Sequence, residues 1–208
     1  MDRLKYKLLT KKDIGATIKC MVKTFLYDEP MTRSLKIPEK EFEHFTKLIC
    51  GKMAEERLSY ICKNSFNEVI AFCLNEDLIT EPLKGIENIT PKMKPILNVL
   101  EKLDALYLRD RNRKRKVFFH MFMVGALREY RGRGIVQRLI TNSIRSAKSK
   151  GFCKILTEAT SLKSQNLFIK KFGFDELYKL DYKRFAYNKS RVFENIGEKY
   201  CKLLELNI

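Results

Sequence analysis

The stretch VFFHMFMVGALREYRGRGIVQRLI, residues 117–140, decides how this chain is read. Val117 to Ala126 is an apolar and aromatic run interrupted by His120, long enough for a buried strand and well short of the ~20 residues a membrane span requires. Arg131-Gly132-Arg133-Gly134 follows, and then Ile135, Leu139, Ile140 and Ile144 recur at helical spacing. A strand that turns through two glycines into a helix offers an anion free backbone N–H groups and the positive end of a helix dipole. Glycine places no Cβ between that backbone and a phosphate. The spacing is neither Gly-x-Gly-x-x-Gly nor Gly-x-x-x-x-Gly-Lys-Ser/Thr, so dinucleotide-fold and P-loop readings fail. The blander reading of the same residues is a basic turn that begins a helix and binds nothing.

Outward from this stretch the periodicity alternates. The helix from Ile135 should stop near Lys150-Gly151. Lys154 to Ala159 reads as a strand, Ser161 to Phe172 as a helix, Phe174 to Tyr182 as a strand, and the tail from Lys199 to Leu206 as a last strand. On the other side, Lys5 to Leu9 reads as a strand, and Thr10 with Asp13 forms a capping box opening a helix through Phe25. The pattern breaks at Pro30. Pro38 to Glu56 is a second helix, Leu58 to Cys62 and Val69 to Leu74 a hairpin, and Ile96 to Leu108 a further helix after a connection from Glu81 to Pro95. The expected fold is one α/β domain over residues 1–208, a mixed central β-sheet flanked by helices.

Forty-two Lys and Arg against 25 Asp and Glu leave a formal charge of +17, which favours an anionic partner: nucleic acid, a membrane surface or a polyphosphate cofactor. The basic run Arg109 to Lys116 is the feature a nucleic-acid-binding protein would use. The aromatic residues are not interleaved with it, so no stacking platform accompanies it and nucleic acid is disfavoured. Six cysteines without a Cys-x-x-Cys pair, and only His44 and His120, give no structural zinc pattern, so no metal is expected. The cysteines read as reduced, mostly buried thiols. With neither a signal peptide nor a membrane span in view, a soluble cytoplasmic protein without a membrane partner is expected, as a monomer or homodimer.

Arg131-Gly132-Arg133-Gly134-Ile135 after an apolar strand and Glu129-Tyr130 resembles the Arg/Gln-x-x-Gly-x-Gly/Ala acetyl-CoA signature of the Gcn5-related N-acetyltransferases (GNAT). Lys171-Phe172-Gly173-Phe174 is similar to the ending of that family's next helix. Phe25 to Met31 (FLYDEPM), the helical insertion at Ile96 to Leu108, and Ala159-Thr160 with Ser164-Gln165 resemble its arylalkylamine N-acetyltransferase-like branch. The likeness covers roughly Tyr6 to Phe174. Two departures stand out: Val136 where Gly or Ala is usual, and a segment from Ser164 to Phe174 that is one residue longer than in the branch.

The resemblance implies an acetyl-CoA slot, V-shaped, between the strand Val117 to Ala126 and the strand Lys154 to Ala159. Arg131, Gly132, Arg133, Gly134, Ile135 and Val136 would bind the CoA pyrophosphate, and the backbone of Met123, Val124 and Ala126 its pantetheine arm. The implied reaction is direct acetyl transfer to a primary amine, an arylalkylamine or polyamine. Protein amino groups, a non-catalytic CoA-binding role and nucleic-acid binding are the alternatives. An alkylamine with a pKa of ~10 needs a base to become a nucleophile. Glu29, beside the rigid Pro30, resembles the branch's catalytic glutamate. The family's usual acid, a tyrosine, is replaced by Phe168 and Ile169, which leaves that role to Ser164 or, farther off, Tyr178 and Tyr182. His120 is either a proton carrier or a satisfied core group, and Glu158 either faces substrate or pairs with a lysine. Cys153 offers no nucleophile, because no base can be assigned to it.

Overall fold

The computed structural model describes residues 3–80, 85–109, 111 and 115–208. Its strands are β1 (Lys5–Leu8), β2 (Tyr60–Lys63), β3 (Val69–Asp77), β4 (Phe118–Ala126), β5 (Lys154–Ala159), β6 (Asp175–Asp181) and β7 (Tyr200–Asn207), paired in the order β1-β2-β3-β4-β5-β7-β6. Its helices are α1 (Ile14–Asp28), α2 (Pro30–Ser34), α3 (Glu39–Glu56), α4 (Lys94–Leu108), α5 (Ile135–Ser149) and α6 (Leu162–Asn166), the last running on as a π-helical turn, Leu167–Lys171. The mixed α/β sheet expected from the sequence is the one observed. The tail strand exists as expected, but it inserts between β5 and β6 rather than extending an edge.

One pairing shapes the functional face. β4 and β5 are parallel, joined by the α5 crossover, and their ladder holds only Phe118 to His120 against Lys154 to Leu156. Beyond it Met121–Ala126 and Thr157–Ala159 separate, with the Thr157 hydroxyl donating to the Met121 carbonyl at 2.9 Å where the opening starts. β7 pairs with the whole of β5 from its other side, so the strand keeps its course without β4.

A second irregularity is a bulge in β4. Leu74 opposes Met123 and Asn75 opposes Met121, which leaves Phe122 as the extra residue. Phe119 and Met121 pack into the core under α5, whereas Phe122 and Met123 turn together toward the core under α1, α3 and α4. The bulge thus switches which face the strand's alternate residues occupy.

Gly125 sits where α1 crosses this strand. A Cβ there would lie 2.8 Å from Thr24 Cγ2 and 2.9 Å from Phe72 Cζ, and Phe72 is fully buried. Gly125→Ala should therefore destabilise the fold by about 1–3 kcal/mol through overpacking. A denaturant midpoint unchanged from the parent protein would contradict that close approach.

Several boundaries differ from the sequence reading. α1 runs on to Asp28, and Pro30 starts a short helix instead of a loop, because proline is tolerated at a first helical position. β3 continues through Asn75-Glu76-Asp77, polar residues that look like a turn but pair with β4. The last helix changes to π geometry at Leu167, which accommodates one extra residue and matches the lengthened Ser164 to Phe174 segment. In the connection Glu81 to Pro95, residues 81–84 lie outside the described residues; so do 110 and 112–114 of the basic run Arg109 to Lys116. Among the described residues no helix is long and apolar enough to cross a membrane.

Candidate active site

The opening between β4 and β5 is the floor of a groove of about 760 Å³. Val124 to Ala126 line one wall, Arg131, Gly132, Gly134 and the first turn of α5 the end, and Lys163, Ser164, Lys170 and Lys171 the other wall. Gly132 and Gly134 have φ of 75° and 71°, a left-handed backbone that favours glycine. A Cβ on Gly132 would meet nothing within 4 Å, so the space it leaves open belongs to the groove. The first intrahelical bond of α5 is Arg138 N–H to Gly134 carbonyl, and the N–H groups of Ile135, Val136 and Gln137 come before it. All three residues line the groove. A helix end, two glycines and three lysines together fit a polyphosphate.

Not every residue expected at this site offers it an unengaged side chain. The Arg131 side chain turns back, its Nε donating to the Ala126 carbonyl at 3.1 Å and its guanidinium paired with the Asp28 carboxylate. That hydrogen bond holds the Asp28 carboxyl below its usual range and ties the end of α1 to the glycine loop. Arg133 lies over the Tyr130 ring, 5.2 Å from its centroid, and does not line the groove. Met123 lines a neighbouring cavity instead. Lys163, Asn166, Lys170 and Lys171 were not identifiable from sequence, since only the π-helical turn and the path of α6 bring them to the wall.

A second, apolar cavity of about 100 Å³ adjoins the groove, and Phe25, Glu29, Val124, Thr160, Ser164 and Phe168 line both. Met31, Phe42, Phe45, Leu97 and Phe122 supply much of its wall. Glu29 stands at the junction with 9% of its surface exposed. Glu29 lies not in a loop made rigid by Pro30 but at the N-cap of α2, accepting from Met31 N at 3.2 Å and Thr32 N at 2.6 Å, which aims its carboxylate.

Ser164 is the third residue of α6 and exchanges capping bonds of 3.2 Å with Ser161. Its hydroxyl donates to the Ser161 carbonyl at 2.9 Å. Tyr178 and Tyr182 line neither cavity. Tyr182 is fully buried, donates to the Thr160 carbonyl at 2.8 Å, and burial pushes its phenol far up, so it keeps its proton. Cys153 is exposed, outside both linings, and the other five cysteines are buried and free.

His120 is the larger departure from expectation. It is 3% exposed and held on both sides, Nδ1 3.0 Å from Glu76 Oε1 and Nε2 2.7 Å from Glu158 Oε2. Burial alone would lower its pKa, but Glu158 and then Glu76 raise it well above its ordinary value, so the ring is an imidazolium. Glu158 therefore pairs with a histidine, not a lysine. Glu76 and its partner Lys52, 2.5 Å away, were missed because Glu76 reads as lying past the end of its strand. Among the described residues no group of three or more His, Cys, Asp and Glu could hold a metal ion.

The model of the family described as Acetyltransferase (GNAT) family matches residues 27–174. Solved structures similar in fold include the C-terminal condensation domain of Ebony in complex with beta-alanyl-dopamine, at 20% identity and TM-score 0.88 over 100% of both chains. Arylalkylamine N-acetyltransferase 2 from Aedes aegypti matches at 18% identity and TM-score 0.81, covering 99% of each chain. The Drosophila melanogaster polyamine N-acetyltransferase that forms N-acetylagmatine matches at 14% identity and TM-score 0.78, over 99% of this chain and 100% of that one. At these identities the likeness is one of fold.

Proposed function

Because the chain belongs to the acetyltransferase (GNAT) family and is thereby an N-acetyltransferase, we propose that it moves the acetyl group of acetyl-CoA directly to a small primary amine, an arylalkylamine or a polyamine, held in the apolar cavity behind the groove. One observation carries this reading: a buried carboxylate, Glu29, stands where a groove suited to a polyphosphate meets a small apolar cavity.

In this reading the CoA phosphates lie on the α5 N-terminus and the lysines of α6, and the pantetheine arm follows the side of β4 that β5 leaves uncovered. The thioester then reaches the junction. An amine arriving as its cation is attracted by Glu29 even though the chain's overall charge is +17. Glu29 takes the proton that must leave before nitrogen can attack. Ser164, at the same junction, is the hydroxyl assigned in this reading to return a proton to the departing thiolate. No acyl-enzyme is needed, as no cysteine lines either cavity.

A panel of arylalkylamines, diamines and N-terminal peptides, assayed by thiol release from acetyl-CoA, tests the acceptor class. Small amines should be turned over and peptides left untouched, because the cavity is small and walled by aromatic side chains. A peptide acetylated faster than every small amine would overturn it.

A further inference from the structure

Below the apolar cavity, ionisable side chains from four elements form one continuous line. Lys52 of α3 meets Glu76 of β3 at 2.5 Å, Glu76 meets His120 of β4 at 3.0 Å, and His120 meets Glu158 of β5 at 2.7 Å. Glu158 lines the cavity, and its side chain is only 2% exposed. Its other oxygen, Oε1, receives no N–H or O–H donor from the described residues, and neither does buried Oδ1 of Asp104 on α4. Asp104 lies one turn beyond Leu100, on the α4 face whose Leu97 and Leu100 wall the cavity.

Asp104 is near enough to Glu158 for each carboxyl to feel the other, and one shared proton would satisfy both orphan oxygens. Burial first, and then the Glu158 charge, push the Asp104 carboxyl up to about 8, so the proton is in place at neutral pH. Even then the line carries an excess negative charge: Lys52 and His120 are cations, while Glu56, Glu76 and Glu158 are anions, Glu56 lying 3.6 Å from Lys52. From β7 the Cys201 thiol also faces this pair, and burial and then Glu158 push it well up, so it stays neutral. Neighbouring Tyr182 spends its hydroxyl on Thr160.

We infer that Asp104 and Glu158 form a second acceptor subsite, which takes the far cationic group of a diamine whose near amine sits at Glu29, and which releases its shared proton as that cation arrives. The exchange balances: an ammonium enters, one proton leaves to solvent, and the new cation donates to both carboxylates. Thr160 is at the junction with the groove and Glu158 stands two residues before it, about 6–7 Å of extended backbone away; both line the same cavity as Glu29, so a short diamine can address the two carboxylates from one cavity. The subsite rests on the reading of this cavity as the acceptor pocket and narrows its occupants to diamines.

The probes are 1,4-diaminobutane, 4-aminobutanol and butylamine, titrated into CoA-saturated protein at pH 7 in buffers of different ionisation enthalpy, then assayed with acetyl-CoA. The diamine should release about one proton more than butylamine, and its kcat/KM should exceed that of both other amines by about tenfold or more, as a charged hydrogen-bonded pair would give. Asp104→Asn keeps the shape and lets an amide donate to Glu158, but holds no proton that can leave. It should erase the extra proton and bring the diamine-to-butylamine ratio of kcat/KM close to one. Equal acetylation of all three amines with no difference in proton release overturns the subsite alone, and so does a preference for 4-aminobutanol. Diamine binding with the extra proton but no acetyl transfer supports the subsite and overturns the transferase reading of the cavity. Absence of binding by any amine overturns both.

Discussion

Glu29→Gln should lower turnover by roughly 10²–10⁴-fold, the range expected when a positioned general base is lost. The substitution keeps the side chain's shape but removes its charge and its capacity to take the amine proton. A Gln oxygen can still accept one of the two N–H groups that the carboxylate now accepts, from Met31 and Thr32, so α2 loses part of its cap at a cost of about 1 kcal/mol. That loss would show as a small drop in thermal midpoint and cannot account for a hundredfold kinetic effect. Affinity for CoA should hardly change, because the polyphosphate end of the groove is built from α5 and α6. Raising the pH toward the amine's own pKa of ~10 should partly restore the mutant, since more acceptor then arrives neutral. Parental turnover at every pH would remove Glu29 from the chemistry.

Gly134→Glu should weaken CoA binding by roughly a hundredfold or more, from a like charge at the helix end and loss of the close backbone approach. The residue is the N-cap of α5 with φ of 71°, where a side-chain-bearing residue costs about 1–2 kcal/mol. A Cβ there would meet only Gln137 Oε1, at 3.5 Å, so there is room for the side chain and the protein should still fold. Gly134→Asn separates the two effects, for asparagine tolerates a left-handed backbone and brings no charge; its loss of affinity should be clearly smaller. Calorimetric titration with CoA reads both variants. Unchanged affinity in Gly134→Glu would move the cofactor away from this loop.

Much of the fold is legible in local patterns. The apolar run ending at Ala126, the two glycines and the spacing of Ile135, Leu139 and Ile140 specify a buried strand, a left-handed turn and a helix facing the sheet, because each is set by burial and backbone sterics within a few residues. The same stretch exposes the helix end and hence the anion site. Glu29 was also readable as a candidate, though its pattern gave no hint that it caps a helix.

Interactions between distant segments settled the rest. β4 and β5 part after His120 and Leu156 because β7, more than 40 residues downstream, supplies the pairing that β5 would otherwise need from β4. The bulge at Phe122 depends on how β3 registers against β4, which no count along one strand reveals. Arg131 looks like a phosphate ligand until Asp28, at the end of α1, claims its guanidinium. Glu76, Asp104 and Glu158 are each an ordinary carboxylate in a sequence holding 25 acidic residues. Only when three elements close around His120 does burial strip away water, and then charge must be balanced by neighbours instead of solvent. Periodicity records whether a position is buried; which charges share that burial is decided by the tertiary structure.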